Sequence, residues 1–293
     1  MNNYQTGILS PIPKQARYLV FSILEHDMLS TCLAELTQFT DGKHTVVGLG
    51  LSLISALDGE IPGLHVFPSL ANQGIEIPST PAALWCWLRG NERGELYHRT
   101  KQLEDVLAPA FRLDDIIDAF EYKDSRDLSG YEDGTENPKG DEAIAATLVT
   151  GQGAGMDGSS FVAVQQWLHD LDYFQSMSAE QQDDTFGRHL SDNEEFDEAP
   201  ESAHVKRTAQ ESYEPPAFIV RRSMPWVENA DAGLVFVAFG KSLKAYEAIL
   251  NRMVGMEDNI SDALFTFTRP ITGAYYWCPP MKGGRLDLSK LGI

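Results

Sequence analysis

Apolar residues along this chain follow two periods in turn. Arg17 to Ile23 (RYLVFSI) is a run of β-branched and aromatic residues that suits a pleated, half-buried strand. Leu29, Cys32, Leu33 and Leu36 then recur at helical spacing, which predicts an amphipathic helix from about Met28 to Phe39. Thr45 to Leu49 predicts a second strand, Ala82 to Leu88 (AALWCWL) a third, Glu92 to Leu107 a charged helix and Asp115 to Tyr122 (DIIDAFEY) a fourth strand. After the glycine-rich break Gly151 to Gly158 the same order returns. Its members are Phe161 to Leu168, a helix near Ser178 to Arg188, the strands Phe218 to Arg222 and Leu234 to Phe239, a helix from Ser242 to Val254, and Gly273 to Cys278. Each pass reads β-α-β-β-α-β, the ferredoxin-like order, so the expected fold is α+β, a duplicated ferredoxin-like unit with two antiparallel sheets. The expected domains are residues 1–140 and 141–293.

Between these elements, Asp192 to Glu201 (DNEEFDEAPE) is strongly acidic, and the chain from there to Pro216 shows no period. A connection of that length belongs to function or to disorder. Charge adds an exclusion: Lys+Arg 23 against Asp+Glu 43 leaves a formal net charge of -20, which repels phosphate backbones and anionic lipid. No nucleic acid and no membrane partner is expected. The first residues lack a basic segment leading into an apolar one, and no run of about 18 apolar residues occurs, so a cytoplasmic protein is expected. Cys32, Cys86 and Cys278 are odd in number and widely spaced, with no CxxC or CxxCH, which predicts reduced, mostly buried thiols.

Three segments carry candidate chemistry. In Gly130-Tyr131-Glu132-Asp133-Gly134-Thr135-Glu136-Asn137-Pro138, two glycines bracket one acid, a pattern that lets backbone pass close to a flat ligand with Asp133 held against it. Ser202 to Arg207 (SAHVKR) places a lone histidine, His204, ahead of two cations. Phe218 to Trp226 (FIVRRSMPW) is a β-branched run that delivers Arg221, Arg222 and Ser223 just before a proline stop. An arginine at the end of a buried strand needs an anionic partner or a cavity. His169, in LHDL at the end of an apolar strand, reads as structural.

In that order and at that spacing, GYEDGTENP, AHVKR and FIVRRSMPW resemble the dye-decolourising peroxidase family, in particular its short bacterial (B-type) group without an export signal. The likeness spans nearly the whole chain, including QTGIL near the start, VQQWLHDL and the closing FTRPITGAYYWCPP. It implies two ferredoxin-like domains and one non-covalent haem b per chain, held in the C-terminal domain with a contribution from the 130–138 loop. It also implies a peroxidase that reduces H2O2 through a high-valent iron-oxo intermediate while oxidising dyes, phenols or other small one-electron donors. A haem-handling protein with incidental peroxidase activity is the alternative, and a chlorite-decomposing enzyme on a related fold is a weaker third reading.

By the same resemblance His204 is the proximal iron ligand, and its second ring nitrogen donates to Asp262, with Asp258 as the fallback. Asp133 and Arg221 form the peroxide pocket on the other haem face, one to shuttle a proton and the other to steady charge. Gly134, Thr135 and Glu136 complete the loop's share of the haem site, and Ser223 follows Arg221 on the same strand face, while Arg222 faces the other side. Arg207 and Lys206 are candidates to pair with haem propionates, with a solvated surface charge an equal reading for both. Tyr131 is the first aromatic to consider for electron entry from bulky donors. A homo-oligomer, dimer or larger, is implied. Encapsulation in a nanocompartment occurs among relatives through a C-terminal extension, which the ending Leu288 to Ile293 does not obviously provide.

Overall fold

The computed structural model describes residues 2–293. In chain order the first half holds β1 (Gln15–Ile23), α1 (Leu29–Phe39), β2 (Thr45–Leu49), α2 (Leu51–Ala56), the small hairpin β3 (Leu70–Asn72) and β4 (Ile75–Ile77), β5 (Leu84–Gly90), α3 (Arg93–Leu107) and β6 (Phe111–Phe120). The second holds α4 (Gly140–Thr147), β7 (Ser160–His169), α5 (Leu171–Ser176), α6 (Ala179–Phe186), α7 (His204–Thr208), β8 (Val220–Arg221), β9 (Met224–Glu228), β10 (Asp231–Gly240) and α8 (Lys244–Met253). It ends with β11 (Thr268–Pro270), β12 (Ala274–Cys278), β13 (Met281–Lys282) and β14 (Arg285–Leu286).

Within each half the strands run in the ferredoxin-like order, β2-β5-β1-β6 and β9-β10-β7-β12, with antiparallel pairing. The two expected sheets are one sheet. β12 meets β2 at Trp277 and Leu49, and β6 meets β9 at Ala119 and Trp226, so these strands close into a barrel. Alternation then sorts the side chains. Tyr18, Trp85, Trp87, Val237, Phe239 and Tyr276 fill the barrel interior. Their alternates Leu19, Val47, Cys86 and Leu88 face outward, under Leu33 and Leu36 of α1 and Leu96, Leu103 and Leu107 of α3. Each fully buried large apolar side chain contributes about 1.5–3 kcal/mol, so interior and outer layer together anchor the frame.

Some boundaries differ from the sequence expectation for identifiable reasons. Pro225 does not stop its strand: β9 runs through it, because that strand meets β6 at a single bridge and a missing N–H there leaves no ladder broken. β6 begins at Phe111 despite Asp114 and Asp115, which stand exposed on its outer face. The three cysteines are free and buried, and burial pushes the Cys86 thiol up to about 12.

Candidate active site

The 130–138 loop is held by its own backbone before it meets anything else. Asp127 N–H donates to Tyr131 O at 2.9 Å, Gly130 N–H to Asp127 O at 2.9 Å, and Asp133 N–H to Ser125 O at 3.1 Å. Gly134 has φ +76°, which favours glycine, and a Cβ built there would lie 2.7 Å from Asn137 Nδ2 and press on that amide. Asn137 uses that space to grip β8 like a neighbouring strand: its Oδ1 accepts from Arg221 N–H at 2.7 Å and its Nδ2 donates to Arg221 O at 3.1 Å. The stitch carries Asp133 to Arg221, with 3.5 Å between Oδ1 and Nη1. Arg221 Nε is buried without a protein partner.

His204 is the first residue of α7, and its Nδ1 lies 2.7 Å from Asp262 Oδ2. Asp262 is fully buried at its side chain, and its other oxygen accepts from Leu264 N–H at 2.9 Å. With a carboxylate oxygen facing Nδ1, that nitrogen carries the proton in the neutral ring, the form in which Nε2 has a lone pair. Nε2 has no hydrogen-bond partner among the described residues. Asp258 is engaged elsewhere, in a two-pronged bond from Arg207 at 2.8 Å on each prong. The Arg207 bond holds the Asp258 carboxyl below its usual range.

His204, Asp133 and Arg221 line one cavity of about 230 Å³. Its walls are largely apolar: Trp167 from β7, Leu234 and Phe236 from β10, Ile249, Leu250 and Met253 from α8, and Leu264 and Phe267. Thr135 and Glu136 reach it as well. Gly134 is not on the wall, and its part is to shape the loop. Ser223, expected on the Arg221 face of the site, does not line the cavity and is buried with its hydroxyl unpartnered, and Arg222 turns to the other strand face, where it donates to Leu9 O at 2.9 Å. Lys206 pairs with exposed Glu201, in keeping with a surface charge.

Arg207 departs from the expectation. It is buried, bound to Asp258 and to Arg252 O, and does not line the cavity, because Tyr213 O–H donates to its carbonyl and α7 turns its side chain toward α8. Beside Arg221, the arginine that does line the cavity is Arg188, which follows the α6 cap Gly187. It donates to Glu136 at 2.9 Å, to Glu195 and to Asn193 O. Sequence reasoning passed over it, since one arginine after a helix-ending glycine carries no sign of burial. Asn137 was inside the quoted motif but without a role. Tyr131 is buried at the wall, stacked on Phe186 at 3.9 Å, with its hydroxyl donating to Asp183. Burial and that carboxylate raise the phenol well above its ordinary pKa.

A duplicated ferredoxin-like barrel, with an imidazole nitrogen left without a partner in an apolar cavity that also holds an acid and an arginine, suits a protein that holds a flat, metal-bearing cofactor. Residues 124–283 match the model of the C-terminal part of the Dyp-type peroxidases. A dye-decolorizing peroxidase of Rhodococcus erythropolis is 30% identical over 291 residues, covering 93% of this chain and 85% of the relative. Two solved structures are similar at 26% identity and a TM-score of 0.82 each. One is a DypB variant from Rhodococcus jostii in complex with heme, with 93% of this chain and 94% of that one covered. The other is the encapsulated DyP-type peroxidase from Mycobacterium smegmatis, with 96% of both covered. The chain belongs to the dye-decolourising peroxidase family.

Proposed function

We propose that this chain is a haem b peroxidase that reduces H2O2 and oxidises small one-electron donors such as dyes or phenols, with His204, Asp133 and Arg221 as its working residues. The observation that carries the reading is the cavity itself, where an imidazole with a free Nε2 shares apolar walls with an acid and arginine 3.5 Å apart. These residues fit a porphyrin: the apolar walls would pack on it, His204 Nε2 would hold its iron, and the buried cation Arg188 suits its carboxylates. When bound, haem supplies a redox-active iron that accepts the oxidising equivalents of peroxide.

His204 would hold the iron through Nε2, and Asp262 on Nδ1 fixes the ring and raises its basicity. Asp133 takes the proton from the near oxygen of H2O2 and passes it to the far oxygen, while the Arg221 guanidinium steadies the negative charge that grows there. Simple carriage of haem needs no such pair, which favours the enzyme over the handling protein; the same motif weighs against the chlorite reading. Bulky donors deliver electrons from outside the cavity, and Tyr131 is the first candidate for that route, since it stands at the cavity wall. Its proton has a taker in Asp183, whose other oxygen holds His189 Nδ1 at 3.0 Å. The reading extends to the short bacterial group, a cytoplasmic setting and a homo-oligomer; encapsulation, stated for the mycobacterial relative, is left to that protein.

The test is the absorption spectrum of the haem-loaded protein before and after one equivalent of H2O2. A discrete, decaying spectral species is expected, with a tyrosyl signal in electron paramagnetic resonance that Tyr131→Phe removes. Bleaching with no discrete species means carriage. An unchanged haem spectrum in His204→Ala rules out the axial assignment.

A further inference from the structure

The cavity wall holds a second histidine–aspartate couple, built differently from the first. His169 closes β7, and its side chain is 5% exposed. Its Nε2 lies 3.0 Å from Asp127 Oδ1 and its Nδ1 2.6 Å from Thr268 Oγ1. Both ring nitrogens are taken, so His169 has no lone pair for a metal and no proton for a substrate. A role must come from what it holds. On one side stands Thr268, its register partner in the β7–β11 ladder, which is part of the rigid sheet. On the other stands Asp127, the hub of the loop. Asp127 Oδ2 accepts from Ser129 N–H at 2.8 Å, its carbonyl accepts from Gly130 and its N–H binds Tyr131 O, two residues before Asp133. Burial alone pushes the Asp127 carboxyl up, but the bonds from His169 and Ser129 outweigh it and hold the carboxyl below its ordinary range. It is therefore a standing acceptor for the clamp.

We infer that His169 is a positioning residue for peroxide cleavage: it fastens the loop that carries Asp133 to the sheet through Asp127, and so sets where that acid stands beside Arg221. The inference rests on the peroxidase reading. It accounts for a buried polar triad that neither ligand binding nor apolar packing requires, since an apolar residue at 169 would fill the wall at lower desolvation cost. The effect on chemistry follows from geometry, because displacing a catalytic group by about 1 Å can cost on the order of 100-fold in rate.

Two readouts test it. In the haem-free chain, hydrogen exchange at the amides of Ser129, Gly130 and Asp133 should quicken at least about tenfold in His169→Ala, as local opening becomes easier, with β1 and β5 unchanged. In the haem-loaded protein, the rate constant for reaction with H2O2 should fall about 10- to 100-fold in His169→Ala. It should recover most of that loss in His169→Gln, whose amide can still donate to Asp127. In an Asp133→Asn background the His169→Ala change should have little further effect. Unchanged exchange, equal losses for alanine and glutamine, or the same factor in both backgrounds overturns the inference. Should His169→Ala not fold, Thr268→Val frees the ring from its other side and carries the same readouts. A parent protein that shows no peroxide-driven spectral change defeats the peroxidase reading instead, and the exchange result on the haem-free chain stands apart from it.

Discussion

Asp133 and Arg221 sit 3.5 Å apart, close enough that neither acts alone. Asp133→Asn and Arg221→Leu are each expected to slow the peroxide step by about 10²- to 10⁴-fold, the range for a positioned acid–base group. The double variant should lose less than the product of the two, because they serve one transition state. Stopped-flow mixing with H2O2 measures all three, and full activity in the double variant rejects the mechanism. Asn137 offers a milder probe. Asn137→Ala removes both side-chain bonds to the Arg221 backbone and should cost about 1–3 kcal/mol in denaturant unfolding, with a slower peroxide step, while haem affinity is kept. His204, Asp133 and Arg221 were legible in the sequence because each is a chemically committed residue in a distinctive neighbourhood. Arg188 and the partners of His169 were not: their meaning lies in burial and in contacts across the chain, which local sequence does not express.

The element that carries His204, the proposed iron ligand, is α7, five residues long and far too short to hold a helix unaided. Its shape is borrowed. Arg207 ties it to Asp258 and Arg252, Tyr213 O–H donates to Arg207 O at 2.7 Å, and Thr208 Oγ1 donates to His204 O at 2.7 Å. Arg207, expected at a propionate, is instead tied to Asp258 and Arg252 O and so braces the helix that carries His204. Arg207→Met or Asp258→Asn is expected to weaken haem binding by about 1–3 kcal/mol, the scale of a charge-assisted bond, as read by haem titration. An effect confined to catalysis, with affinity intact, contradicts that role. Long elements of strong period, such as α3 and β7, matched expectation closely. The elements missed were α2, the β3–β4 hairpin, α4, α5, α7, β9, β11, β13 and β14, all too brief for a period to declare itself.

Across the molecule, Asp41, Asp118, Asp127, Asp183 and Asp258 are all held below the ordinary carboxylate range. Burial opposes this at most of them, and hydrogen bonds from histidine, arginine, tyrosine or backbone N–H groups prevail. A folded pKa below the unfolded one stabilises the protein fully above the unfolded value, and the contribution is lost as pH falls through the folded value. The denaturant midpoint should therefore drop as pH falls below about 4, where free carboxylates begin to protonate. A midpoint that holds or climbs down to pH 3 contradicts it. The ferredoxin-like order of the first half was readable from period alone; in the second, the strand expected at Phe218 to Arg222 is only the short β8, and β9, which holds that place in the order, went unread. Closure was not readable either, since the seams rest on single bridges between strands far apart in sequence. Those seams have a further consequence. While shut, they leave β2, β6, β9 and β12 no free rim on which another molecule could add a strand. Repulsion in a chain of net -20 fades as acid brings it to its isoelectric point near 4.6, just above the range in which the bracing carboxylates let go, so a seam that parts there would bare sticky strand rims with little charge to keep copies apart. Acid-treated protein is thus poised for sheet-to-sheet aggregation in place of clean, reversible unfolding.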